Sequence, residues 1–159
     1  MYWVFFCFIL VWVFANNAHA QITLSKKIVW GEPQVGFSNG TFVKRLAIEN
    51  ESATDAASGL PLVSFEIPLD NWSGDSIAVR VTSQTFVDAT EAEKSVLDGL
   101  KLPKSIDKTV FVEQKQSFLR VLVSPYQVLV GNGRFHKMTD VSISIDYPKG
   151  TNRLLKSAS

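Results

Sequence analysis

The chain has 159 residues, of which 46% are apolar and 19% charged, and its 16 basic and 15 acidic residues give a net charge of +1. That length supports one domain and excludes a large multidomain enzyme, unless the chain is a piece of one. The composition is too apolar for a disordered chain. Because the charges nearly cancel, no electrostatic footprint for nucleic acid or for an anionic membrane surface is present, and we predict no nucleic-acid partner.

Residues 1–20 predict an export signal. An uninterrupted apolar run extends from Met1 to Ala15, and small residues follow at Ala18 and Ala20. As a helix the run would be about 22 Å long, short of the ~30 Å hydrocarbon core of a membrane. Signal peptidase requires small side chains at the two positions that Ala18 and Ala20 occupy. We predict cleavage before Gln21 and no stable membrane span afterwards. An uncleaved anchor is the alternative, since no Lys or Arg precedes the apolar run.

The next part of the chain alternates apolar and polar residues with a period of two, which places one set of side chains on a core face. This alternation predicts strands at Ile22–Ile28, Thr41–Ile48, Leu62–Pro68 and residues 77–82. Asn39-Gly40 predicts a tight turn, because both residues tolerate a positive φ. The small polar stretch Glu49–Gly59 predicts a mobile loop between strands.

One short helix is predicted, from Thr90 to Asp98. Thr90 and Glu93 match a capping box, in which each side chain bonds the free backbone N–H of the other residue. Gly99 can end the helix. Glu91 lies in the first turn, where a negative charge suits the helix dipole. We therefore interpret Glu91 and Glu93 as structural residues and not as the carboxylate pair of a glycosidase.

Beyond the helix, Gly99–Lys108 predicts a surface connection, and strands are predicted at Val110–Glu113, residues 119–124, Tyr126–Val130 and residues 141–147. Gly131-Asn132-Gly133 predicts a hairpin turn. Residues 149–159 lack alternation and predict a linker or flexible tail. The predicted fold is all-β: an antiparallel β-sandwich or partly closed barrel of about eight short strands with one short helix, over residues 21–148.

The residues beyond the predicted cleavage site offer no assembled catalytic group. Cys7 is lost with the leader, so a disulfide, a cysteine nucleophile and Cys-based metal sites are excluded from the remainder. His136 is the only histidine left, and Asp140 is the carboxylate within reach along a hairpin. No serine lies in a strand-to-helix elbow of the G-x-S-x-G kind, because Gly36–Gly40, which has those letters, leads into a predicted strand and not into a helix. We predict that His136 is an exposed strand residue, and that the chain is not an enzyme and has no catalytic, cofactor or metal site.

Three segments, read in order, resemble a known family. They are Gly59–Leu69, which runs from a Gly-x-Pro element into an Ile-Pro strand, Ser117–Tyr126, an Arg-bearing strand that ends in proline, and Val141–Tyr147. Together they resemble the N-terminal region that precedes the catalytic domain of gingipain-type cysteine peptidases of Bacteroidetes. Within that family they are most similar to the cell-surface sortases of the type IX secretion system (PorU type). The family's catalytic His and Cys lie beyond this region, so no catalytic residue is transferred.

The resemblance implies a non-catalytic, propeptide-like module that packs on, or assists the folding of, a gingipain-like catalytic domain in cis or in trans. It also implies export to the periplasm or the outer-membrane cell surface, with other type IX secretion components as further partners. A different class stays open at this point. The chain could be an independent envelope adhesion or carbohydrate-binding sandwich, with Trp30, Trp72 and the loop Glu49–Gly59 as its contact surface.

Overall fold

The structure, a computed structural model, describes residues 19–38, 41–70, 72, 76–128 and 134–148. The apolar run of the predicted leader, both predicted glycine turns and the predicted tail 149–159 lie outside the described residues. Within the described ranges, no helix is long and apolar enough to cross a membrane.

Nine strands and one helix make up the described chain. In order they are β1 (His19–Lys27), β2 (Gln34–Ser38), β3 (Thr41–Arg45), β4 (Val63–Pro68), β5 (Ala78–Asp88), α1 (Glu91–Leu97), β6 (Ile106–Glu113), β7 (Gln116–Val123), β8 (Tyr126–Val128) and β9 (Phe135–Pro148). One sheet has the order β1-β9-β5, with β8 also paired to β9, and a second sheet has the order β4-β7-β6. β2 and β3 form a separate pair. All pairings are antiparallel, which confirms the predicted all-β class with one short helix.

The core follows directly from the period of two. Val141, Ile143 and Ile145 of β9 are at most 1% exposed, whereas the residues between them reach the other face of the sheet. Alternate residues of β7 and β4 are buried in the same way and join them in one apolar cluster. Each fully buried aliphatic side chain contributes roughly 1.5–3 kcal/mol relative to an exposed one. Packing of these faces therefore holds the two sheets together.

Several boundaries differ from the sequence-based prediction. β2 was not predicted, because Gly36 interrupts its short pattern. β6 begins at Ile106, so the last part of the predicted connection Gly99–Lys108 is strand. The strand predicted at Thr41–Ile48 ends at Arg45, and Ile48 forms an isolated bridge with Trp30 instead.

The stretch Glu49–Gly59, predicted to be a mobile loop, is attached to the sheets through the side chain of Glu51. The Glu51 side chain is only 7% exposed, and its Oε1 lies 2.5 Å from Lys26 Nζ. Its Oε2 accepts bonds from the backbone N–H of Ser64 at 3.1 Å and from the Ser64 hydroxyl at 2.9 Å. A backbone bridge between Thr54 and Pro61 closes the far end. The loop is thus fixed to the strands at both of these points.

Candidate functional site

His136 lies in β9, opposite Asp88 of β5 in the strand register. Its Nε2 is 2.9 Å from Asp88 Oδ1, and its side chain is 22% exposed. His136 is therefore a strand residue, as predicted, but it is half-buried and not exposed. Asp140 lies opposite Thr85 and Lys27 in the register, so it does not pair with His136, in line with the prediction that the two do not form a catalytic group. Within the described part of the chain, no Ser or Thr hydroxyl bonds to His136, and no group of three His, Cys, Asp or Glu side chains could hold a metal.

The predicted capping box is present at the start of α1. Thr90 Oγ1 accepts a bond from the Glu93 N–H at 3.3 Å, and Glu93 Oε2 accepts one from the Thr90 N–H at 2.7 Å. Glu93 is also buried, at 4% exposure, and its Oε1 lies 2.6 Å from Lys137 Nζ of β9. Burial alone would raise the pKa of Glu93, but the Lys137 ammonium and the Thr90 donors outweigh it and lower that pKa. The carboxylate therefore ties the helix to the sheet.

Trp30 lies beside the Glu93–Lys137 ion pair. Its Nε1 donates to the Met138 carbonyl at 2.7 Å, and its ring lies 5.4 Å from the Tyr126 ring. Lys137 Nζ lies 5.6 Å above the Trp30 ring, within cation–π range. These contacts fix the half-buried indole in place, so Trp30 is not a free binding platform.

The Tyr126 hydroxyl lies in the same region. It is buried with no hydrogen-bond partner among the described residues. Burial, and then the negative charge of Glu93, raise the pKa of this phenol. The phenol therefore stays neutral throughout the ordinary pH range.

Trp72 is half-buried and packs against the main core, where it also lines a small cavity together with Ile77, Val110 and Leu119. Trp30 is held by internal contacts, and Glu51 anchors the loop Glu49–Gly59, although most residues of that loop are exposed.

The outer face of the β4-β7-β6 sheet carries an aromatic pair that the sequence reading missed. The rings of Phe111 and Phe118 stack with centroids 5.5 Å apart and planes inclined by 17°. The Arg120 guanidinium lies 5.0 Å from the Phe111 ring, and its Nη2 is 2.6 Å from Glu66 Oε1. Glu66 and Arg120 are directly opposite in the register, so this is an exposed cross-strand pair. Such a pair contributes roughly 0–1 kcal/mol and leaves Arg120 internally satisfied.

The predicted cleavage residues fall at the start of β1. Ala18 lies outside the described residues, Ala20 is opposite Tyr147, and Gln21 is opposite Asp146. If the leader is removed before Gln21, β1 loses its first two residues and keeps the part that pairs with residues 140–146 of β9.

Solved structures share this fold. One comes from a structural study of the zymogenic latency of gingipain K from Porphyromonas gingivalis. Its chain has a TM-score of 0.60 and 14% sequence identity, and the match covers 83% of this chain and 89% of that chain. Another is a chain in the complex of the Porphyromonas gingivalis RgpB pro- and mature domains, with a TM-score of 0.51 and 11% identity over 88% of this chain and 85% of that one. Both structures are of gingipains, and the second contains a pro-domain and a mature domain. No protein-family model matches the chain, and no curated protein matches it.

Proposed function

We propose that this chain is a non-catalytic, propeptide-like module that binds a gingipain-like catalytic domain. The observation that carries the proposal is the fold shared with the gingipain pro-domains, over more than four-fifths of the chain. One of those structures holds a pro-domain together with a mature domain, which supports a catalytic domain as the partner here.

The contacts made by the two candidate titratable groups support the same function. Acyl chemistry needs an activated nucleophile with a base in hydrogen-bond reach. In the described part of the chain, His136 is engaged by Asp88 and Glu93 by Lys137. These structural contacts of His136 and Glu93 support a module that acts by binding.

We also propose how the chain is divided and where it acts. Residues 1–20 are a leader cleaved before Gln21, residues 21–148 are the module, and residues 149–159 are a linker. The module belongs to the type IX secretion system, where it accompanies a sortase of the PorU kind and acts in the periplasm or at the outer-membrane cell surface. Its catalytic partner is joined to it in cis or meets it in trans.

The test measures association directly. The exported chain is titrated by calorimetry against the separately produced catalytic domain of the gingipain-like peptidase encoded in the same genome. We expect a Kd below about 10 µM, which corresponds to roughly −7 kcal/mol, and no peptidase activity from the chain alone. Circular dichroism confirms that the chain is folded. A folded chain with no detectable binding would overturn the proposal and favour the independent adhesion module.

A further inference from the structure

Two edge strands lie beside each other on one side of the sandwich. β5 pairs with β9 along one edge, and β6 pairs with β7 along one edge. Among the described strands, none pairs with the second edge of β5 or of β6, although Trp72 forms a β-bridge and lies near Lys108 and Val110 of β6. Lys108 of β6 reaches across and donates from its Nζ to the carbonyl of Ile77, immediately before β5, at 2.5 Å. We call this pair of neighbouring free edges, Ala78–Asp88 and Ile106–Glu113, the β5–β6 seam.

Two cavities open along the β5–β6 seam. The larger, about 350 Å³, is lined by Val81, Gln84 and Phe86 of β5 and by Ile106 of β6, among other residues. The smaller, about 270 Å³, is lined by Ile77, Lys108 and Val110, together with Trp72 and Leu119. Apolar walls with a few polar groups are typical of sites that take up side chains. The seam therefore offers recesses as well as free backbone groups.

The backbone groups on the two free edges call for a hydrogen-bonding partner. An edge strand presents a row of N–H and C=O groups that another extended chain can pair with. β5 is 11 residues long and contains neither proline nor lysine, two residue types that protect edges, although it carries Arg80 and Asp88 and its register with β9 shifts twice. Val112, towards the end of β6, is 69% exposed. These features suit the addition of a strand.

We propose that an extended segment of the catalytic partner adds as a strand at the β5–β6 seam; this inference rests on the proposed function. Ile77 and Val81 line different cavities and are four positions apart, or about 13 Å along a strand. Side chains at i and i+4 of an extended segment lie on one face at the same spacing, so the segment places one apolar side chain in each cavity.

Charge adds a second requirement to the segment. Among the described residues that line the two cavities, Lys108 is the one charged group, and no carboxylate in the described chain pairs with it. An Asp or Glu side chain of the segment therefore lies beside Lys108. The preferred segment is extended, apolar at i and i+4, and acidic near the residue that enters the smaller cavity.

Hydrogen exchange tests the location. Exchange is followed by mass spectrometry for the exported chain alone and in its mixture with the catalytic domain used above. We expect exchange at amides of β5 and β6 to slow by at least about tenfold in the complex, because newly paired amides are protected. The outer edges of β1 and β4 serve as internal controls and keep their rates. Association without protection in β5 or β6 would overturn this inference and leave the proposed function standing. Absence of any association would instead overturn the proposed function itself.

Charge variants provide an independent test. Lys108→Glu should weaken association roughly tenfold, because it sets two carboxylates beside each other. Lys101→Glu, which changes an exposed lysine in the connection before β6, is the matched control and should change affinity less than about twofold. If Lys108→Glu fails to fold, Lys108→Gln takes its place and should still weaken association several-fold, because it removes the partner of the acidic side chain. Equal affinities for the seam variant and the control would overturn the inference.

Discussion

Replacement of Glu93 by alanine should strongly destabilise the module. The change removes the acceptor of three donors: Lys137 Nζ at 2.6 Å, the Thr90 N–H at 2.7 Å and the Thr90 hydroxyl at 3.0 Å. It leaves the Lys137 ammonium in a site where its side chain is only 16% exposed. Removal of one partner of a buried ion pair costs about 3–5 kcal/mol. The Thr90 side chain still caps the backbone N–H of residue 93, so only the bonds that the Glu93 carboxylate accepts are lost. Total stabilities of such domains are about 5–15 kcal/mol, so the loss is a large share.

The assay is urea unfolding at pH 7, followed by tryptophan fluorescence. Glu91→Ala is the matched control, since Glu91 lies on the same helix with a 90% exposed side chain and an exposed i,i+3 pair to Lys94. Its loss should stay below about 0.5 kcal/mol. The double variant Glu93→Leu with Lys137→Met should lose less than Glu93→Ala, because no unpaired charge remains. A loss below about 1 kcal/mol for Glu93→Ala would refute the reasoning.

Three further outcomes are expected. Because folding lowers the pKa of Glu93, its contribution to stability should be fully present above its ordinary pKa of 4.5 and should be lost as the pH falls below that value. In urea unfolding at a series of pH values, Glu93→Gln should therefore show a smaller loss of stability at acid pH than the unchanged chain. Ile143→Ala should cost about 2–5 kcal/mol in the same assay, whereas Ser144→Ala on the other face should change stability by less than about 0.5 kcal/mol. Mass spectrometry of the exported chain should show Gln21 as its first residue, and a mass that retains residues 1–20 would contradict this.

Local patterns were enough to predict the fold class. The alternation in residues 141–147 and the capping box at Thr90 both depend on residues close in sequence, and both agree with the structure. β2 was missed because a five-residue strand with a central glycine shows little alternation. β6 was predicted too short because the sequence around Lys108 is lysine-rich, and an edge strand tolerates such residues on its exposed positions.

The buried charges could not be predicted, since their partners are far apart in sequence. Glu93 and Lys137 are 44 positions apart, and only the packing of α1 on β9 brings them together. In a regular strand, residues an even number of positions from the buried Val141 lie on its face of the sheet, and Lys137 is one of them. Met138 is an odd number of positions from Val141, yet it is also buried. A register irregularity in the β5–β9 pairing beside Thr85 accounts for this change of phase. The contact between His136 and Asp88 could not be predicted either, because it depends on the register of β5 against β9 and not on a local sequence motif.

β9 joins strands that lie far apart in the sequence. It is the common neighbour of β1, β5 and β8, and its pairing with β1 brings together side chains as distant as Gln21 and Ser144, 123 positions apart. Closing so long a loop is slow, because its entropy is lost before the contacts form. A chain emerging from a secretion channel with its N-terminus first would therefore hold β1 and β5 without their shared partner until Phe135–Pro148 had passed through. Until that moment the apolar faces of the first sheet stay open to aggregation or to a chaperone.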